Sequence, residues 1–218
     1  MDIVLSSKDT EWLATQYPGL KIDIENKMLI GDIYLNRSFK DVTLDNIFSI
    51  KVMLELLPNM LLPKVYETSD RLQSIASKLG LENIEDIHVN SDDSLCLAIY
   101  GREKECFSNE FTIVEFFENC LEPYLYWVTY YEKYGTAPWK EYAHDSLGFM
   151  ELYAEDKLTY RELQQKVPLK VLSRYVCHYD LIKDKCLCGK NINMKKCHTE
   201  IYNGVKKFKR TWSLARAS

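Results

Sequence analysis

The chain has 218 residues, is 46% apolar and carries a formal charge of −4, enough to bury one substantial core and an appendage, since domains usually run about 100 to 150 residues. Residues 1–13 lack a basic stretch leading into an apolar one, so no secretory signal is expected. The most apolar stretch, residues 52–62, is broken by Glu55, Pro58 and Asn59, which excludes a membrane span there. A cytoplasmic protein without a membrane partner is expected, and its seven cysteines then stay reduced, pointing to metal binding, catalysis or core packing rather than disulfides.

Charge is unevenly spread. Residues 181–218 hold ten Lys or Arg against Asp184 and Glu200, a balance of +8 that leaves −12 for residues 1–180. An acidic body carries a basic tail.

Residues 28–57 alternate in places, Ile30, Asp32 and Tyr34 against Gly31, Ile33 and Leu35, and are interrupted by the polar stretch 36–46, which predicts strands joined by turns. Residues 47–57 read as a further strand ended by Pro58 and Asn59, so the front half reads as an antiparallel meander. Over residues 70–85, Leu72, Ile75, Ala76 and Leu79 fall at helical spacing and Gly80 is placed to stop the helix.

Residues 111–134 are strongly helical, with Phe111, Val114, Phe117, Cys120, Leu121, Tyr124, Leu125 and Val128 recurring at three and four. Pro123 is expected to kink or divide that helix, and its aromatics to pack on a sheet. Cys106 reads as a loop or packing residue and Cys120 as a helix-core residue. Further helices are expected over 148–157 and 159–176, the second opening on Thr159 with Glu162 three residues on, a capping-box pattern. Strands first and helices later give an α+β fold.

Cys96 lies between the two central helical segments, with Asp92, Asp93 and Ser94 before it and Leu97, Ala98 and Ile99 after it. That is where a loop enters packed structure, and an acyl-transfer cysteine must be both reachable and held in one orientation. By itself a Cys between leucines also reads as a small buried hydrophobe. Asp92 and Asp93 read as a solvated turn.

The string around Cys96 resembles the ubiquitin-conjugating enzymes, and most closely their bacterial branch. That family carries His-Pro-Asn, a short polar loop and then Cys-Leu, matched here by His88-Val89-Asn90 and Cys96-Leu97. Upstream, Phe48-Ser49-Ile50-Lys51-Val52, Leu57-Pro58 and Leu62-Pro63-Lys64-Val65 resemble its strand, proline turn and second strand. The resemblance spans residues 28–135. It departs in Val89, which replaces the proline, in a His-to-Cys spacing two residues shorter than in the common eukaryotic form, and in lacking the tryptophan segment after the cysteine.

The resemblance implies an antiparallel meander sheet with flanking helices, and a transferase. In it Cys96 carries the C-terminal acyl group of a ubiquitin-like modifier, or a target protein's C-terminus, as a thioester and passes it to an amine. Asn90 would stabilise the oxyanion or the loop, and His88 would hydrogen-bond that loop. Related bacterial proteins occur in anti-phage operons of the CBASS type, which implies an activating enzyme and a cyclic-oligonucleotide synthase as partners. The rival reading is a non-catalytic binding module of the same fold that holds a partner protein, or nucleic acid through the tail. His144 either lines the cleft near Cys96 or packs.

In the tail, Cys186-Leu187-Cys188 is followed after eight residues by Cys197-His198. Three thiolates and an imidazole form a complete tetrahedral set for zinc, and four protein ligands leave no open position, so the expected zinc is structural. The spacing resembles the SEC-C motif of the bacterial preprotein translocase ATPase. A segment this short is expected to have little core and to owe its order to the metal. Cys177 and His178 sit upstream as competing ligands or a helix end. Lys206, Lys207, Lys209 and Arg210, interleaved with Phe208 and Trp212, would bind nucleic acid, dock on the acidic body or recruit an acidic partner. Two regions are therefore expected: residues 1–176, ubiquitin-conjugating-like with a helical extension, and residues 177–218, a basic zinc-binding tail.

Overall fold

The computed structural model describes residues 2–58, 60–98, 102–142, 145–155, 180, 181, 183, 185, 186, 188 and 190–217. Its contacts divide into two units, Met1–Trp139 and Lys140–Ser218.

The first unit opens with α1 (Ser7–Gln16), which the sequence reading did not anticipate. Its signal is a capping box: Ser6 Oγ accepts from the Asp9 N–H at 3.2 Å and the Asp9 carboxylate accepts from the Ser6 N–H at 2.8 Å. Four strands follow, β1 (Leu20–Asp23), β2 (Met28–Phe39), β3 (Val42–Met53) and β4 (Val65–Glu67). They pair antiparallel in the order β1-β2-β3-β4, the meander that the alternation predicts. At the start of β2, Gly31 (φ +139°) passes so close to β1 that a Cβ would sit 2.1 Å from the Gly19 carbonyl oxygen, so only glycine fits.

The polar stretch 36–46 is not a break. β2 and β3 stay in register from Met28↔Met53 to Phe39↔Val42, and only Lys40 and Asp41 turn the chain, Lys40 in the left-handed region at φ 51°. The stretch is polar because Asn36, Ser38, Thr43 and Asp45 lie exposed, with the Ser38 and Thr43 hydroxyls 2.8 Å apart across the strands.

The inner face of the sheet carries Leu29, Ile33, Leu35, Leu44, Phe48, Ile50 and Val52, all buried in one cluster with Leu13 of α1 and with Leu72 and Ile75 of α2 (Arg71–Leu79). α2 ends on Gly80 in the left-handed conformation, as its placement predicts. The aromatic segment is divided. α3 (Ile113–Phe116) is followed by a π-helical turn, Phe117–Leu121, and then by α4 (Glu122–Tyr134). Pro123 stands in the first turn of α4, where the wider preceding turn accommodates its ring and its missing N–H. Phe116, Phe117, Leu121, Leu125 and Val128 enter the sheet's core. Across the interface Tyr126 donates to the Val42 carbonyl at 3.0 Å, and Glu122 accepts from the Tyr17 hydroxyl at 2.6 Å while pairing with Arg37.

The second unit contains α5 (Asp145–Ala154), α6 (Met194–Cys197) and α7 (Thr199–Ala217). α5 occupies part of the helix expected over 148–157, whose last two residues lie outside the described set. The tail is not the coreless segment its length suggests. Met194, Ile201, Val205 and Phe208 are buried with Met150, Leu152 and Tyr153 of α5. Gly204 lets α7 approach α5 backbone to backbone, since a Cβ there would fall 1.8 Å from the Met150 carbonyl oxygen. The expected helix over 159–176 and the expected boundary at 176/177 lie outside the described residues. Among the described residues no helix is long and apolar enough to cross a membrane.

Candidate functional site

Residues 88–96 form a short hairpin. Val89 and Leu95 face each other in an antiparallel bridge, the Asn90 N–H donates to the Ser94 carbonyl at 2.8 Å, and the Cys96 N–H donates to the His88 carbonyl at 2.8 Å. The turn is closed by the Asp93 N–H on the Asn90 carbonyl at 2.9 Å, with Asp93 at φ 64°. That combination is a three-residue loop ending in a left-handed residue, a conformation Asp tolerates. Asp92 caps the turn, accepting from the Ser94 hydroxyl at 2.6 Å and the Ser94 N–H at 3.2 Å.

The hairpin is fastened to the body at four points. The Leu95 N–H donates to the Val65 carbonyl at 2.8 Å and Ser94 bridges Tyr66, so the hairpin adds to the edge of β4. Lys64 pairs with Asp92. The Tyr124 hydroxyl donates to the Ile87 carbonyl at 3.1 Å, and the His88 ring meets Trp127 edge to face at 4.6 Å. The hydrogen bonds from Lys64 and then from Ser94 hold the Asp92 carboxyl at about 2.

Cys96 is half-buried at the hairpin's exit, its thiol directed to the Ala98 carbonyl at 3.9 Å. Burial raises the Tyr124 hydroxyl well above its usual range, with smaller contributions in the same direction from Cys96 and Glu67. Asn90 stands on the strand opposite Cys96, exposed, with its side-chain amide donating to Ser94 Oγ at 3.1 Å. His88 terminates a 3-10 turn, Ile84–Ile87, in the left-handed conformation and reaches Cys96 through its backbone carbonyl. Asp92 is tied to Lys64 and Ser94 rather than simply solvated. His144, Cys177 and His178 lie outside the described residues. Lys64, Tyr124 and Trp127 reach the hairpin from elements far away in sequence, so no local spacing marks them as neighbours of Cys96.

The second constellation lies in the tail. Cys186 follows a bridge between Lys185 and Asn193 and donates its N–H to the Ile192 carbonyl at 2.8 Å. The Asn193 side chain caps α6 by accepting from the Lys195 N–H at 3.0 Å, and α6 delivers Cys197 and His198 at its end. Ligand atoms of Cys186, Cys188, Cys197 and His198 all fall within 4.8 Å of one another. Cys186 Sγ lies 3.2 Å from His198 Nδ1, and Cys188 Sγ lies 3.7 Å from Cys197 Sγ. Around a tetrahedral ion with metal–sulfur bonds of about 2.3 Å, sulfurs stand about 3.8 Å apart, so this cluster can bind a metal ion.

Comparison with protein-family models, with curated proteins and with solved structures finds no match.

Proposed function

We propose that the chain is a ubiquitin-conjugating-like acyltransferase with Cys96 as its nucleophile. The observation that carries this reading is the hairpin that links His88 to Cys96 and fixes it to the edge of an antiparallel meander sheet. It leaves one thiol half-buried beside a polar turn, on a backbone hydrogen-bonded to His88. Such a thiol meets the two demands of covalent acyl transfer, access and orientation.

The chemistry is two exchanges at one carbonyl carbon. The Cys96 thiolate attacks an activated C-terminal acyl group, a thioester is formed, and the previous carrier leaves. An amine then attacks that thioester, the amide bond forms and the Cys96 thiolate is expelled. Asn90, on the facing strand, would turn its amide from Ser94 toward the oxyanion, and His88 would serve through its carbonyl and its packing. The acyl donor would be a ubiquitin-like modifier or a target protein's C-terminus, delivered by an activating enzyme. The resemblance to bacterial anti-phage proteins of the CBASS type suggests a cyclic-oligonucleotide synthase as target, in the cytoplasm.

We further propose zinc as the metal of the tail. Three soft thiolates and one imidazole match zinc's preferred donors, and four protein ligands make the site structural.

The test is mass spectrometry after incubation with activating enzyme, modifier and ATP. A thiol-labile adduct that Cys96→Ala abolishes is expected. An adduct that persists in Cys96→Ala overturns the assignment, as does non-covalent retention of the modifier by a chain whose Cys96 is inert to thiol reagents, the behaviour of a binding module.

A further inference from the structure

The second unit carries a set of cations that neither site uses. Residues 181–218 hold ten Lys or Arg against Asp184 and Glu200, and Glu200 already faces Lys140 at 4.0 Å. Lys190, Lys195, Lys196, Lys206 and Arg210 are exposed, and no ion pair engages them among the described residues. The fold gathers them. The ligand atoms of Cys186, Cys188, Cys197 and His198 converge to within 4.8 Å of one another, and Lys190, Lys195 and Lys196 each stand within two residues of one of those ligands. α7 begins directly after His198. On it Asn203, Lys206 and Arg210 form an exposed stripe, while Ile201, Gly204, Val205 and Phe208 are buried. A divalent ion held by three thiolates would leave the cluster with about one negative charge, too little to offset the lysines around it.

The chemistry of this surface narrows its partner. Lysine is depleted from protein–protein interfaces, whose centres bury aromatic and apolar groups, and Ile192 is the one large apolar side chain exposed among the described residues of this unit. The apolar face of α7 is already packed against α5, which leaves none to insert into a membrane surface. Phe208, whose place among the basic residues suggests a base-stacking ring, is fully buried beside Tyr153. No aromatic ring is exposed among the described residues of this unit. Lys207 also turns inward, donating to the Tyr153 carbonyl at 3.0 Å. What remains outside is ammonium and guanidinium groups without stacking rings, which suits phosphates rather than unpaired bases.

We propose that the second unit binds the phosphate backbone of double-stranded nucleic acid, independently of base sequence, through Lys190, Lys195, Lys196, Lys206 and Arg210. A duplex carries one negative charge per about 1.7 Å of its axis and a condensed layer of counterions. Each side-chain cation that meets a phosphate releases a counterion into solution, so binding weakens as salt rises. The metal cluster serves by holding its lysines together against their mutual repulsion. The proposal stands on this surface alone and does not depend on the thioester reading of Cys96.

The experiment measures fluorescence anisotropy of a labelled DNA duplex, and of an RNA duplex of the same sequence, with the full zinc-loaded chain across a salt series. The two arms tell which backbone is held. Binding is expected to be alike for unrelated base sequences and, for five phosphate contacts, to weaken about 500-fold between about 50 and 200 mM salt. Lys195→Ala/Lys196→Ala and Lys206→Ala/Arg210→Ala should each flatten the logarithmic salt slope by about 2. Lys8→Ala, on α1 of the first unit, should leave it unchanged. Alanine suits a helix, so both double variants should keep the wild-type circular dichroism. The proposal is overturned if neither duplex binds at the lowest salt, if the double variants bind as wild type does, if a single strand of equal length binds more tightly than the duplexes, or if polyglutamate is the preferred partner.

Discussion

The His88 ring meets the Trp127 indole edge to face, with centroids 4.6 Å apart and planes 64° apart, while the His88 carbonyl holds the Cys96 N–H at 2.8 Å. His88 is therefore a wedge between α4 and the hairpin. Edge-to-face pairs contribute about 0.5–1.5 kcal/mol beyond the area they bury. His88→Asn tolerates the left-handed backbone but has no ring, and should lower stability by about that amount or more. Urea unfolding measures it; an unchanged midpoint would show that the ring contact contributes nothing.

Asp92 predicts an acid dependence. Its folded-state carboxyl lies at about 2, below the unfolded value, because Lys64 and Ser94 favour the charged form. The stability it contributes is therefore complete above about pH 4 and is lost as pH falls toward 2. The side chain is 44% exposed, so the contribution is that of a surface pair, about 0.2–1 kcal/mol. Unfolding titrations of wild type and Asp92→Asn should differ at pH 7 and converge near pH 2; a gap that widens in acid contradicts the ion pair.

Asn90 separates folding from chemistry. Removing its bond to Ser94 Oγ should cost about 0.5–1.5 kcal/mol. If the amide supplies an oxyanion donor, Asn90→Ala should slow single-turnover discharge of the Cys96 thioester about 100- to 1,000-fold. Discharge at the wild-type rate would remove Asn90 from the mechanism.

Metal removal should act on the second unit. Elemental analysis should find one zinc per chain, absent in a Cys186→Ser/Cys188→Ser double variant. Structural zinc sites of this kind contribute about 10–16 kcal/mol of apparent binding energy at pH 7, so a chelator should loosen the loop carrying Cys186 and Cys188. Because α5 and α7 share their own core, part of the helical circular dichroism should survive chelation. A native chain without metal refutes the site.

Gly204 gives a test of that core. A Cβ at this position would meet the Met150 carbonyl oxygen at 1.8 Å, and backbone cannot yield as a side-chain tip can. Gly204→Ala should destabilise the second unit by about 1–3 kcal/mol, the range for overpacked sites, despite alanine's better helix propensity. Calorimetry should show a lowered transition, and a raised one would mean that the helices separate freely.

What the sequence made legible was local. The cysteine cluster was readable because its four ligands lie within thirteen residues, and the Gly80 stop because one residue type dominates left-handed helix ends. Alternation in residues 28–35 reveals a sheet, whereas in the outer half of the β2–β3 hairpin Asn36, Ser38, Thr43 and Asp45 lie exposed and the inward alternation is reduced to Val42 and Leu44, too short a pattern to show two continuous strands. α1 shows no signal of this kind because Leu13 is its only buried residue, which leaves too faint a stripe for periodicity. The π turn was invisible because a shift of helical register leaves the three-and-four spacing of Phe117, Cys120, Leu121 and Tyr124 intact. Around Cys96, the neighbours from β4 and α4 depend on tertiary packing that no spacing encodes.

The attachment of the hairpin to β4 has one further consequence. An edge strand with unpaired N–H and C=O groups invites another chain to pair with it, and proteins guard such edges. Here Leu95 and Ser94 occupy the outer side of Val65 and Tyr66, so the segment that presents Cys96 also blocks that side of the sheet. The opposite edge, β1, is only four residues long. Substitutions that loosen the hairpin should therefore expose a sticky strand and promote aggregation.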